Sequence, residues 1–141
     1  MIRQAILTTQ TSGPGLNEVT DRVAAFVREA AVGAGLLTLF LRHTSCSLLI
    51  QENADPDVQR DLDAFFSRLA PGADDPAMAY LTHRAEGPDD MPAHIKAALL
   101  PVSLSIPIMG GRLALGTWQG IYLFEHRRRP HRREIALHLA G

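Results

Sequence analysis

The stretch that decides the fold is "VSLSIPIMGGRLALGTWQGIYLFEHR", residues 102–127. "VSLSIPI" alternates apolar and polar residues, as a half-buried strand does, and "MGGR" supplies the paired glycines of a tight hairpin. "RLALG" returns, "TWQG" turns again, "IYLFEHR" runs out, and "EIALHL" (134–139) closes an antiparallel meander. Upstream the periodicity changes. "IRQAILTT" (2–9) reads as a first strand ended by "TSGPG". Leu16, Val19, Val23, Phe26 and Val27 then recur at helical spacing, stopped by Gly33 and Gly35. "LLTLFLR" (36–42) predicts a buried strand with "SLLIQ" (47–51) as its neighbour. Asp55-Pro56 opens a helix carrying Val58, Leu62, Phe65 and Leu69, which Pro71-Gly72 ends. "GADDPAM" is a loop, and Pro92 starts a brief helix through "HIKAALL". Helices first and antiparallel strands last give an α+β class, with a large, mostly antiparallel sheet or sandwich and two to three helices.

With 141 residues, 46% hydrophobic and 21% charged, the chain is expected to fold as a single domain, residues 1–141. A net charge of -1 provides no global field for a polyanion or a membrane. No apolar stretch is long enough to span a bilayer, and no signal peptide is visible at the N-terminus. A single cysteine, Cys46, excludes an intrachain disulfide, so a cytoplasmic setting is expected.

Polar clusters interrupt the apolar scaffold at element boundaries: "HTSCS" with "QENADPD", "HRAEGPDDMPAH", and "GTWQG" with "EHR". His138 alternates against Ile135, Leu137 and Leu139, so it should face away from the core, and His131 reads as a solvated loop residue. His43, His83, His94 and His126 lie beside carboxylates or small hydroxyls. Imidazoles and carboxylates suit a divalent metal such as zinc or magnesium, although no HExxH or CxxC spacing is present. The Cys46 thiol follows His43 by three residues, which regular alternation sends to opposite faces, so a packed cysteine competes with a nucleophile. Asp89 and Asp90 read either as caps of the Pro92 helix or as ligands. Glu52 and Glu125 sit at strand mouths, where a buried acid needs a partner. Phosphate is a third reading, through helix amides and Arg112 or Arg127. "HRRRPHRR" (126–133) holds five arginines and is expected to be a solvated basic loop, with nucleic-acid binding an unfavoured alternative.

"HTSCSLLIQENADPDVQRDL", "HRAEGPDDMPAHIKAALL" and "SLSIPIMGGRLALGTWQGIYLFEHR" together closely resemble the YjbQ-like, or secondary thiamine-phosphate synthase, family. The resemblance runs over essentially the whole chain and is tightest over 36–127. It implies a compact α+β domain assembled as a homotrimer. It also implies an activity that joins hydroxymethylpyrimidine pyrophosphate to a thiazole phosphate and releases pyrophosphate. The family's polar signature falls on His43, Thr44, Ser45, Cys46, Glu52, Asn53, Asp55, His83, Glu86, Asp89, Asp90, His94, Trp118, Gln119, Glu125 and His126, while Gln51 departs from the usual asparagine. On this basis His83, His94 and His126 are the metal candidates. His43, Cys46, Glu52, Asp89, Asp90 and Glu125 are the catalytic candidates, and Thr44, Ser45, Asn53, Trp118, Gln119 and Arg127 are the ligand-binding candidates. The expected partner is a small phosphorylated metabolite, and the competing reading is a non-catalytic protein that sequesters a metal or phosphometabolite.

Overall fold

The computed structural model describes residues 1–141. Eight strands form two antiparallel sheets. They are β1 (Ile2–Gln10), β2 (Gly15–Glu18), β3 (Ala34–Leu41), β4 (Cys46–Glu52), β5 (Ser103–Met109), β6 (Arg112–Leu113), β7 (Gln119–Glu125) and β8 (Arg132–Ala140). The wide sheet runs β1-β8-β3-β5-β6 and the narrow one β2-β7-β4. Three helices accompany them: α1 (Thr20–Ala30), α2 (Pro56–Leu69) and α3 (Asp90–Leu99), with one 3-10 turn at Pro76–Met78. The α+β architecture expected from the alternating 102–127 stretch is present.

Alternation builds the core. Leu37, Leu39 and Leu41 of β3, Ile106 and Ile108 of β5, and Ile135, Leu137 and Leu139 of β8 all turn one way. They meet Cys46 and Leu48 of β4, Ile121 and Leu123 of β7, and Val23, Phe26 and Val27 of α1. Helix α1 therefore complements the narrow sheet in facing the wide one. The hairpin between β5 and β6 turns through Gly110 and Gly111, both at positive φ (57° and 76°), which side chains with a Cβ adopt reluctantly. Asp55 caps α2 by accepting from the Asp57 amide at 2.9 Å, with Pro56 at the first helical position.

Several expectations are corrected. Residues 15–18 are strand, not helix. Leu16 pairs with Phe124, the Asn17 amide group donates to the Leu123 carbonyl, and the Thr20 hydroxyl accepts from the Ile121 amide, so an open sheet edge outcompetes an extra helical turn. Strand β4 pairs with β7, not with β3, and β8 inserts between β1 and β3, so the C-terminal strands are divided between two sheets. Pairing of this kind is a long-range property that local pattern does not carry. Helix α3 starts at Asp90, because Pro92 falls within the first turn, where no intrahelical donor is required.

Strand β7 is covered on both faces. Ile121 and Leu123 join the inter-sheet core, whereas Phe124 stacks edge-on with Phe66 of α2 and Tyr122 accepts from Gln59. Glu125 and His126 are consequently both buried, each on its own side. No helix is long and apolar enough to cross a membrane.

Candidate metal centre

The "HRAEGPDD" segment and the first turn of α3 build a compact group from His83, Glu86, Asp90 and His94, whose ligating atoms all lie within 4.8 Å of one another. Asp90 and His94 stand four residues apart on one helical face. The His83 Nε2 lies 2.7 Å from Asp90 Oδ2 and 3.4 Å from Glu86 Oε2, and His94 Nε2 lies 3.1 Å from the same Asp90 oxygen. Asp90 is buried, while His83 and Glu86 open to solvent.

The tautomer of His94 follows from its other nitrogen. Nδ1 is 2.8 Å from the Thr44 carbonyl oxygen, which has no proton to give, so Nδ1–H must donate. In the neutral ring Nε2 is then bare and directs its lone pair at a carboxylate oxygen. Two acceptors 3.1 Å apart need a proton or a cation between them. A ring pinned by a backbone carbonyl at one nitrogen and free to ligate at the other is the usual second-shell arrangement of a metal-binding histidine.

Arg127 restrains the acids from behind. Its Nε donates to Asp89 Oδ2 at 3.0 Å and its NH1 to Asp90 Oδ1 at 2.5 Å. Asp89 also accepts from the Arg128 amide at 2.9 Å and makes no side-chain bond to the helix, so the cap reading of "DD" does not hold. The hydrogen bond from His83 to Asp90 raises the imidazole above its ordinary value. Burial opposes the Asp90 charge, but the His83 hydrogen bond and the charges of His94 and Arg127 outweigh it and keep the carboxyl low. Arg127 is therefore held by acids, not free for a phosphate as expected.

Beside His94, an open cleft of about 570 Å³ runs between α3 and the end of β3, lined by Phe40, Leu41, His43, Thr44, Ala97 and Val102 among others. His43 Nε2 accepts from the Glu134 amide at 2.8 Å, so the neutral ring carries its proton on Nδ1. Burial, then the Arg133 charge, lowers its pKa and keeps it neutral.

Other candidates stand elsewhere. The Cys46 thiol is fully enclosed in the core and burial pushes its pKa up to about 12, which removes it as a nucleophile. Glu125 is also fully enclosed. It receives Arg133 Nε at 2.8 Å, Thr11 Oγ1 at 2.7 Å, and the amides of His126 and Arg127 at 3.0 and 3.1 Å. Arg133 reaches on to Ser45 Oγ at 2.9 Å. The basic run is thus not uniformly solvated: Arg133 is an interior ion-pair partner, and His131 is half-buried, with Nδ1–H on the Arg129 carbonyl and 3.8 Å from Glu125. His126 is buried with Nε2 on Ser47 Oγ at 2.9 Å, apart from the His83–His94 group.

Glu52, Asn53, Trp118 and Gln119 occupy the far end of the narrow sheet. Glu52 pairs with Gln119 there, whereas Cys46 pairs with Glu125 at the near end, six residues away or roughly 20 Å along the strand. Glu52 accepts from the Ala54 and Asp55 amides, Asn53 donates its amide to the Trp118 carbonyl, and Gln119 accepts from Gly116. Trp118 is exposed. The Glu86 and His83 pairing, three residues apart, was the local signal that could have added Glu86 to the ligand set.

Comparison with known proteins agrees on one family. The pattern described as UPF0047 protein YjbQ-like matches residues 4–141. A UPF0047 protein of Synechocystis is 51% identical over 98% of this chain and 91% of its own length, and YjbQ of Escherichia coli O157:H7 is 42% identical over 98% and 97%. The crystal structure of a YjbQ/UPF0047-family protein from Clostridium acetobutylicum superposes with a TM-score of 0.84 at 34% identity, covering 96% of this chain and 99% of that one. A hypothetical protein from Aeropyrum pernix gives 0.87 at 25% identity, over 99% and 98%. With the match spanning nearly every residue and every element of the fold, the chain belongs to the UPF0047 YjbQ-like family.

Proposed function

We propose that this chain is a cytoplasmic, metal-dependent enzyme acting on a small phosphorylated metabolite, with thiamine-phosphate synthase chemistry as the specific candidate. The observation that carries the metal is the convergence of His83 and His94 Nε2 on one Asp90 carboxylate oxygen, with Glu86 alongside. Two imidazoles and two carboxylates suit zinc or a similar transition ion better than magnesium, which prefers oxygen and water. When bound, such an ion would supply positive charge to a leaving pyrophosphate.

The chain's own groups have clear tasks in this reading. Thr44 O holds the His94 ring, and Arg127 fixes the Asp90 carboxylate from the opposite side. The adjoining cleft offers apolar walls to a flat heterocycle, and His43 presents Nδ1–H as a neutral donor at its rim. The catalytic role expected of Glu52 and the ligand-binding roles expected of Trp118 and Gln119 would require a second copy to bring them near. Self-association, as a homotrimer, is part of the proposal. It is supported by the outer face of the wide sheet, where Ile2, Ile6, Leu36, Phe40 and Met109 are exposed together.

The test is pyrophosphate release from hydroxymethylpyrimidine pyrophosphate and thiazole phosphate, with and without chelator. Turnover should fall at least about a hundredfold on chelation and in His94→Ala. A rate indifferent to both would overturn the reading. Tight stoichiometric metal without turnover would favour sequestration over catalysis. Sedimentation of Phe40→Asp should show loss of the trimer, and a wild-type chain that sediments as a monomer would contradict self-association.

A further inference from the structure

Helix α3 has a second functional face. Asp90, His94 and Ala97 look toward the metal candidates and the cleft, whereas Asp89, Pro92 and Lys96 recur on the other side and line a separate pocket of about 200 Å³. Its remaining polar walls are Ser67 from α2 and His126 and Arg128 from the segment after β7.

The pocket holds two cationic side chains that form no direct ion pair, although Asp63, Asp74 and Asp89 lie nearby. Lys96 is only 9% exposed, yet its ammonium makes no hydrogen bond or ion pair. Asp63 is the acid whose charge acts most strongly on it, but the two form no ion pair, and burial dominates to lower the lysine pKa. Arg128 uses its backbone amide on Asp89 and leaves its guanidinium unpaired; that group packs against Gly72, where an added Cβ would come within 3.1 Å of it. Asp89 does not cancel these cations, since its carboxylate already serves Arg127 and the Arg128 amide. His126 is 3% exposed, and its Nδ1 is the one enclosed side-chain polar atom without a partner. Burial and the neighbouring Lys96 charge push its pKa down to about 3, so the ring is neutral. The Ser47 hydroxyl lies 2.9 Å from Nε2, and in the tautomer where it donates there Nδ1 carries a hydrogen without a partner.

A buried lysine, an unpaired arginine and an orphaned imidazole around a small polar hollow share one complementary ligand. We infer that this pocket, formed by Lys96, Arg128, His126 and Ser67, binds a small tetrahedral oxyanion, namely phosphate or the phosphoryl end of a metabolite. An acceptor-rich dianion would neutralise both cations and engage donors that the fold leaves without partners. The volume of about 200 Å³ admits one phosphate group with waters. This site does not depend on metal at His83 and His94, which lies across the helix.

The experiment is titration of the full-length chain with orthophosphate, pyrophosphate and methyl phosphate, followed calorimetrically and by long-range proton–nitrogen spectra of the histidine rings. Binding of one equivalent per chain is expected, with the His126 Nδ1 resonance moving. Arg128→Ala, at an exposed position, should weaken binding about tenfold or more, and Lys96→Met at least as much. His94→Ala should bind phosphate as the wild type does, which separates this pocket from the metal reading. If Lys96→Met does not fold, Arg128→Ala and the His126 resonance decide alone. Preference for methyl phosphate over orthophosphate would assign a phosphorylated metabolite, and the reverse preference a free anion. Absence of binding by all three probes, or binding unchanged by Arg128→Ala with a static His126 signal, would overturn the inference.

Discussion

Two carboxylates, each held by an arginine, set the terms of this molecule. Glu125 and Arg133 lie wholly inside, and around them Thr11, Ser45 and two backbone amides occupy the acceptor and donor positions. Asp90 and Arg127 lie at the protein's edge, and there two imidazoles converge on one carboxylate oxygen. The first pair is saturated by the fold. The second is left open to solvent on its imidazole side, and the proposed metal ion would complete it. Sequence proximity to a conspicuous motif does not distinguish the two; the inventory of hydrogen-bond partners does.

The largest effect expected from this contrast is on stability. Arg133→Met leaves Glu125 charged and enclosed, and should cost ~3–5 kcal/mol in urea unfolding. A loss below about 1 kcal/mol would mean that the interior pair is not what locks the β7–β8 end of the molecule. His94→Ala should instead leave the unfolding midpoint nearly unchanged while weakening divalent-metal affinity ~100-fold, read by competition with a chromophoric chelator. If the two variants exchanged phenotypes, the division between structural and functional acid would be reversed.

Acid sharpens the same contrast. Burial opposes the Glu125 charge, but the hydrogen bonds of Arg133 and Thr11 outweigh it, holding the carboxyl below its ordinary value of 4.5. Because the folded value lies beneath the unfolded one, its stabilisation is complete above about pH 4.5 and disappears as pH falls through the depressed folded value. Chemical denaturation between pH 6 and pH 3 should therefore show a steeper acid loss in the wild type than in Glu125→Gln. Parallel profiles would assign the acid limb to other carboxylates. The smallest effect belongs to Glu86→Gln, an exposed carboxylate 3.4 Å from His83, whose loss should weaken metal about threefold to tenfold and leave stability untouched.

Much of the fold was legible in the order of residues. Alternation in 103–109, the Gly110–Gly111 hairpin and the Asp55–Pro56 cap are local, and they hold. The division into two sheets was not legible, since β4 and β7 are paired across nearly seventy residues and neither pattern names its partner. The candidate site was partly legible. His83, Asp90 and His94 lie in one polar stretch, and they converge. His126 shared their chemistry but sits on the covered face of β7, where its neighbours are Phe124 and Ser47. Arg133 and Lys96 were hidden for a different reason. A basic residue reads as solvated unless its partner or its pocket is known, and Glu125 and the α3 pocket become visible only in three dimensions.

The most direct test of the central claim is a zinc titration of the purified, chelator-stripped wild-type chain beside His94→Ala, with metal content checked by elemental analysis. The account predicts one tightly held ion per chain in the wild type and a loss of about two orders of magnitude in the variant. A wild type that retains no ion, or a variant that holds it equally well, would contradict the claim that the open carboxylate and its two imidazoles form a metal centre.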